Sequence, residues 1–210
     1  MKVVFLSHPI SEGTPLFMGE KGVSIVRDKV LGRNSCNTLK LSFPNHTSTH
    51  VDLPRHFIDN GPTLSDYPPQ SWIFKRVEVL DIEIDGTLIM PDSIRIKNDA
   101  ELLIVRTGYE KKRTSADYWK KYPGVHPDVA DHLAKKMPSI RAFGVDLISI
   151  SSPLHRDLGR ASHREFLSRN IMLIEDMKLS SMDFVPSMVI VLPLMIEHGD
   201  GAPCSILAME

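Results

Sequence analysis

Three of the nine histidines in this 210-residue chain fall within eleven residues, in the segment Asn45-His46-Thr47-Ser48-Thr49-His50-Val51-Asp52-Leu53-Pro54-Arg55-His56-Phe57. Imidazole nitrogens and a carboxylate are the ligands that borderline divalent ions such as Zn²⁺ or Mn²⁺ accept. Backbone geometry then restricts how the segment can fold. The spacing of His46 and His50 matches two ligands one helical turn apart. The intervening Thr-Ser-Thr, the β-branched Val51 and the nearby Pro54 make a helix unfavourable. In a strand, positions 46, 50, 52 and 56 share one face, yet full extension would carry His46 about 33 Å from His56. For all four to meet at one centre the chain must bend, near Ser48 and again at Pro54.

The rest of the composition bounds the setting. With 42% hydrophobic and 24% charged residues the chain has the balance of a globular protein. Its length suits one domain, residues 1–210, with a core that needs neither disulfides nor a structural metal. The formal net charge of -1 lacks the basic excess of a duplex-binding protein, so nucleic acid is not an expected partner. The opening Met1–Ile10 has only a four-residue apolar run and does not read as a signal peptide. The most apolar later stretch, Phe184 to Ile196, is broken by Pro186 and Pro193 and is shorter than the roughly 20 residues of a membrane helix. Cys36 and Cys204 are far apart, in no metal-type spacing, and read as buried thiols of a reducing cytosol. A cytoplasmic location, with no membrane partner, is the expectation.

Seven short runs rich in Val, Ile, Leu and Phe predict strands: 23–26, 37–43, 77–82, 101–106, 142–150, 171–174 and 188–194. Three segments predict helices. Thr114 to Tyr122 opens on Thr114 or Ser115 as a cap. Asp128 to Met137 sets Val129, Leu133 and Met137 on one face, with Lys135 and Lys136 at its negative end. Ser162 to Arg169 opens with Ser162 and Glu165 in a capping-box spacing. Strands and helices interleave without strict alternation, which predicts an α/β domain with a mixed sheet.

A divalent ion usually needs further ligands. Of the remaining candidates, which include His8, His126, His132, His155 and His198, two stand out. His163 lies in the first turn of the third predicted helix, and Glu175 ends the strand 171–174. Periodicity connects neither to His46.

The segment from His46 to Phe57 resembles the HxGTHxDxPxHF signature of the cyclase family of metal-dependent hydrolases, which includes bacterial kynurenine formamidase and isatin hydrolase. Further similarities follow in order: Leu6-Ser7-His8-Pro9-Ile10 to LSHPL, Arg106-Thr107-Gly108-Tyr109 to RTGW, and Gly144-Val145-Asp146 to GxD. His163 then precedes Ile171–Glu175 as in HxxLL…E, and Leu192-Pro193-Leu194 to Asp200-Gly201-Ala202-Pro203 is similar to LPL…DGAP. The resemblance implies a swivelling β/β/α fold and a homodimer or homotetramer. It assigns His46, His50 and Asp52 to a first ion, with Asp52 able to bridge, and His163 and Glu175 to a second where two are bound. His56 matches a second-ion ligand or a general acid/base. Ser48 departs from the family glycine, and a positive φ there would strain it.

The implied activity is metal-assisted hydrolysis of an amide-type C–N bond in a small molecule, with Zn or Mn, one or two ions per chain. Glu175 or His56 would take and return the proton; an imidazole titrating near about 6.5 suits both steps. An aryl formamide is the leading substrate, a cyclic amide of the isatin type the alternative, and a catalytically silent metal-binding member the reading of another class. Phe17, Trp72, Phe74 and Tyr109 are candidates for an aromatic pocket.

Overall fold

The computed structural model describes residues 2–210. In chain order the strands are β1 (Val3–Phe5), β2 (Ser24–Lys29), β3 (Thr38–Ser42), β4 (His50–Asp52), β5 (Ile73–Phe74), β6 (Val77–Asp81), β7 (Leu88–Ile89), β8 (Leu102–Arg106), β9 (Gly124–Val125), β10 (Ala142–Val145), β11 (Met172–Glu175), β12 (Met188–Pro193) and β13 (Gly201–Met209). The helices are α1 (Leu31–Asn34), α2 (Asp117–Lys120), α3 (Asp128–Lys136) and α4 (Arg156–Ser168).

Nine strands form one mixed sheet in the order β5-β12-β13-β4-β11-β10-β8-β6, with β1 also paired to β13. Strands β6, β8, β10 and β11 run parallel, while β4, β12 and β13 are joined antiparallel. The near-continuous apolar runs of the parallel strands reflect burial on both faces. Alternation along them divides two cores. Leu103, Val105, Phe143, Val145 and Leu173 face α3 and α4, meeting Leu133, Phe166 and Leu167. Leu102, Ile104, Ala142, Met172 and Ile174 face the other way, onto Val51, Phe74, Val191 and Ile206. The α/β mixed-sheet expectation therefore holds.

Several elements differ from the sequence reading. The run 142–150 is a strand only to Val145, after which the chain leaves the sheet as a loop. The runs at 23–26 and 37–43 do form β2 and β3, but as a separate hairpin outside the main sheet. Strands β1, β4 and β13 were not anticipated. In β13 the core face is Ala202, Cys204, Ile206 and Ala208, mostly small residues with Pro203 among them, which mutes the apolar signal; opposite His50, Pro203 forfeits no bond to β4, because the neighbouring Cys204 N–H donates to the Thr49 carbonyl. The helix over 114–122 shrinks to α2, with Ala116 at its N-cap and no side-chain capping bond. Cys36 is exposed, contrary to expectation, and Cys204 is buried.

Helix α4 is the largest departure. It begins six residues before Ser162, so the capping box does not form. Ser162 is buried mid-helix, its hydroxyl without a partner, and Glu165 pairs with Arg169. The buried positions are Gly159, Ser162, His163, Phe166 and Leu167. That is helical spacing, but its first half is small or polar and hides the apolar stripe. Gly159 is required by proximity: a Cβ there would lie 2.1 Å from Ser151 Oγ and 2.6 Å from its Cα.

Replacing Gly159 with Ala is thus expected to push α4 off the 149–151 loop, lowering stability by about 1–3 kcal/mol, as overpacking of close contacts does. Urea unfolding against the wild type checks this; an unchanged midpoint would show that the loop yields freely.

Candidate metal centre

The sheet register assembles the centre. Val51 of β4 and Ile174 of β11 point into the core away from the helices. Their neighbours His50, Asp52 and Glu175 consequently point to the α4 side. The two strands are antiparallel, with Glu175 opposite His50 and Leu173 opposite Asp52. Across that face α4 adds His163. His50 Nε2 lies 3.3 Å from Asp52 Oδ1 and 3.5 Å from Glu175 Oε2. His163 Nε2 lies 3.5 Å from Asp52 Oδ2 and 3.5 Å from Glu175 Oε1. All four side chains are buried.

Outer hydrogen bonds hold this arrangement. His50 Nδ1 donates to the Ser48 carbonyl at 2.8 Å, and His163 Nδ1 donates to the Gly159 carbonyl at 2.9 Å. Each imidazole is thereby turned so that Nε2 meets the carboxylates, the arrangement that outer partners impose on metal-ligating histidines. Glu175 Oε1 accepts from the Ile150 N–H at 2.7 Å and the Ser149 hydroxyl at 3.2 Å.

The bends expected from the sequence are present. Ser48 has φ 59°, the left-handed region that disfavours a side chain. Its hydroxyl offsets the strain by donating to the His8 carbonyl at 3.2 Å and accepting from Arg113 Nη2 at 3.2 Å. A single helical turn over Pro54–His56 makes the second bend. The segment therefore folds back on β4. His46 Nδ1 donates to Asp52 Oδ1 at 2.7 Å, and its Nε2 lies 3.1 Å from Asp200 Oδ2. His56 Nδ1 lies 2.9 Å from the same Asp200 oxygen, its ring stacked on His46 at 4.0 Å between centroids. Gly201, opposite Asp52, makes room: a Cβ there would lie 2.6 Å from the His46 ring.

All six residues singled out from the sequence, His46, His50, Asp52, His56, His163 and Glu175, line one pocket of about 300 Å³. Two ligand groupings occur, His46–Asp52–His56 and His50–Asp52–Glu175, each with its ligand atoms within 4.8 Å of one another. Asp52 is common to both. Of the four aromatic candidates only Phe17 lines the pocket. Trp72 and Phe74 are packed in the core remote from α4, and Tyr109 stacks toward Tyr118. Phe57 takes the expected place instead, stacked on His163 at 4.5 Å. The sequence reading also passed over Asp200 and Ser149. Asp200 stands in the quoted stretch Asp200-Gly201-Ala202-Pro203, the one available signal, but nothing local ties it to His46.

The electrostatics show what the pocket lacks. Burial raises the cost of charge on Asp52 and Glu175, yet the surrounding imidazoles hold both carboxylates ionised below their usual range. Burial likewise opposes charge on His46 and His163, but Asp52 with Asp200, and Asp52 with Glu175, outweigh it and bring them up to about 9 and about 10. Hydrogen bonds from His46 and His56 hold Asp200 far below the ordinary carboxylate range. The cluster demands positive charge, which protons or a cation can supply. Nitrogen and carboxylate oxygen donors converging with oriented Nε2 atoms fit a borderline divalent ion.

A kynurenine formamidase of Bacillus cereus is 28% identical over 171 residues, covering 80% of this chain and 78% of that protein. Isatin hydrolase A from Labrenzia aggregata, solved with benzyl benzoate bound, superposes with a TM-score of 0.82 at 20% identity over 99% of this chain and 93% of that one. A structure described as a "predicted metal-dependent hydrolase", from Bacillus stearothermophilus, gives a TM-score of 0.77 at 22% identity, covering 99% and 97%. The family described as "Putative cyclase" matches residues 4–152. That span holds β4 with its bent histidine segment and exceeds half of the sequence, and the chain accordingly belongs to the cyclase family.

Proposed function

We propose that the protein is a metal-dependent hydrolase of a non-peptide amide C–N bond in a small molecule, with an aryl formamide as its substrate. The observation that carries this reading is the pair of buried carboxylates, Asp52 and Glu175, faced by imidazole Nε2 atoms whose Nδ1 positions are fixed by backbone carbonyls. Likeness to the Bacillus kynurenine formamidases supports the formamide. Full-length structural likeness to isatin hydrolase supports ring-opening of a cyclic aryl amide as the second reading, which uses the same chemistry. Residues 1–210 act as one domain in this proposal: His163 and Glu175 lie beyond the family match, yet pack into the same pocket as His46.

Bound here, a divalent ion, Zn or Mn, supplies Lewis acidity that polarises an amide carbonyl and lets water deprotonate near neutral pH. His50, Asp52 and Glu175, with His163 Nε2 3.5 Å from both carboxylates, would hold one ion, and His46 with Asp52 and His56 a second, a grouping that differs from the His46–His50–Asp52 and His163–Glu175 sets implied by the family likeness. Glu175 is fully engaged by Ile150, Ser149 and the imidazoles, which suits a ligand. His56 is better placed to move the proton. Asp200 orients it through Nδ1, leaving Nε2 to take a proton from water and return it to the departing nitrogen. Phe57 and Phe17 give the pocket an aromatic wall.

No helix among the described residues is long and apolar enough to cross a membrane. The exposed free Cys36 suits a reducing, cytoplasmic compartment. Exposed Leu31, Leu39 and Leu41 on or beside the β2–β3 hairpin support a homodimer or homotetramer, since a lone hairpin is marginal in water.

Elemental analysis alongside formanilide hydrolysis tests the reading. His50→Ala is expected to lose metal and activity together, by more than the roughly 10–100-fold that loss of an outer partner costs. An active, metal-free His50→Ala protein would overturn the assignment. His56→Ala should keep the ion held by His50, Asp52, His163 and Glu175 while kcat drops by about 10²–10⁴.

The metal-free and metal-loaded forms should also respond oppositely to pH. In the metal-free chain His46 and His163 titrate near about 9 and about 10, above the roughly 6.5 of an unfolded histidine. Their protonation stabilises the fold fully below about pH 6.5, and this is lost as pH rises through 9 and 10. Metal binding must displace those protons, so it strengthens over the same range. Thermal unfolding with chelator and with added Zn²⁺, at pH 7 and pH 9.5, should show the two melting temperatures diverging; parallel curves would contradict it.

A further inference from the structure

The same pocket carries two arginines that no step above uses. Arg156 and Arg160 line it, on the helix that supplies His163. Residues 156, 160 and 163 follow the i, i+4, i+7 spacing and so share one face of α4. At the helical rise of about 1.5 Å per residue, Arg160 stands about 4.5 Å and Arg156 about 10.5 Å along the axis from His163. His163 is buried against the carboxylates, while Arg160 is half exposed, so the arginines lie at the entrance and the imidazoles at the floor. The rest of the wall includes the apolar Phe17, Phe57 and Ile148 beside Ser149 and Ser151.

Neither guanidinium is committed elsewhere. Arg160 makes only a 3.5 Å contact to Asp157, whose side chain is 99% exposed, and such surface pairs exchange readily. Arg156 makes no ion pair among the described residues. Of the acids lining the pocket, Asp52 and Glu175 are matched by imidazoles and Asp176 by Arg113, and the neighbouring Asp200 is matched by His46 and His56. The excess charge presented to an entering molecule is therefore positive, and it sits a ring's length from the reacting end.

We propose that Arg156 and Arg160 select substrates that carry an anionic group about one aromatic ring away from the scissile amide, an inference that rests on the hydrolase reading of the metal centre. The formamide reaches the floor, the ring lies along Phe57 and Phe17, and the anion is received at the entrance. Guanidinium suits this place because its planar fork binds a carboxylate through two parallel hydrogen bonds. A neutral lactam finds no use for the pair, so the arginines bias the enzyme toward charged open-chain amides.

Two probes that share ring and formamide and differ only in charge decide it: 3-(2-formamidophenyl)propanoate and its primary amide. Binding by calorimetry and hydrolysis are measured for the metal-loaded protein, for the double variant Arg156→Ala/Arg160→Ala, and for Arg156→Lys/Arg160→Lys. The wild type is expected to bind the anion at least about tenfold more tightly than the amide, with the preference shrinking as salt is added. In the double alanine variant the affinity ratio should fall toward one, and the lysine variant should recover part of it. An anion that binds no better than the amide, or a preference the alanine variant retains, overturns the proposal. The outcomes separate the two readings. Charge preference lost in the variant while neither probe is hydrolysed supports the arginine assignment and defeats the hydrolase reading. Hydrolysis of both probes with the same ratio in all three proteins does the reverse.

Discussion

Two carboxylates, Asp52 and Glu175, lie side by side in the interior of this protein, and the chain around them is arranged to keep both charged. Burial alone would protonate them. Four imidazoles, from His46, His50, His56 and His163, surround the pair and its neighbour Asp200, and backbone carbonyls of Ser48 and Gly159 aim two of them. A concentration of charge this dense is tolerable inside a protein only when it is balanced. The need for a positive centre therefore explains the features packed around it: the strained φ at Ser48, the bare Cα of Gly201 beside His46, and the close approach of α4 to Ser151 through Gly159.

The sheet converts that demand into geometry. Strand alternation sends Val51 and Ile174 into one core and His50, Asp52 and Glu175 to the opposite face. The antiparallel register of β4 against both β11 and β13 then brings residues from positions 50–52, 173–175 and 201–203 into one row. Rigid strands hold the carboxylates, whereas the more exposed groups that line the pocket, His56, Phe17, Arg156 and Arg160, come from turns and from the first turns of α4. Precision resides in the sheet, and adaptability at the entrance.

Much of this was legible in the sequence. The ligand types, the bends at Ser48 and Pro54 and the mixed α/β class all followed from residue chemistry and backbone limits. Their places on predicted elements singled out His163 and Glu175, but only the family likeness connected them to His46, more than a hundred positions away. Other elements resisted reading. Strand β13 builds its core face largely from small residues, Ala202, Cys204 and Ala208 beside Ile206, with Pro203 among them, and α4 buries Gly159, Ser162 and His163 where an apolar stripe would announce a helix. In α4 the candidate site occupies the face that normally carries the pattern, so there the departure from local rules marks the site itself.

By itself the sequence determined which atoms could bind a metal and that their segment must fold back on itself, because donor chemistry and the reach of an extended chain are properties of the covalent structure. Only the tertiary structure decided that Asp200 joins His46 and His56, that Phe57 and not Trp72 or Phe74 walls the pocket, and that α4 starts early enough to place two arginines above His163. Each of those depends on which strand lies opposite which and on what is buried, and register and burial are set by the packing of the whole chain.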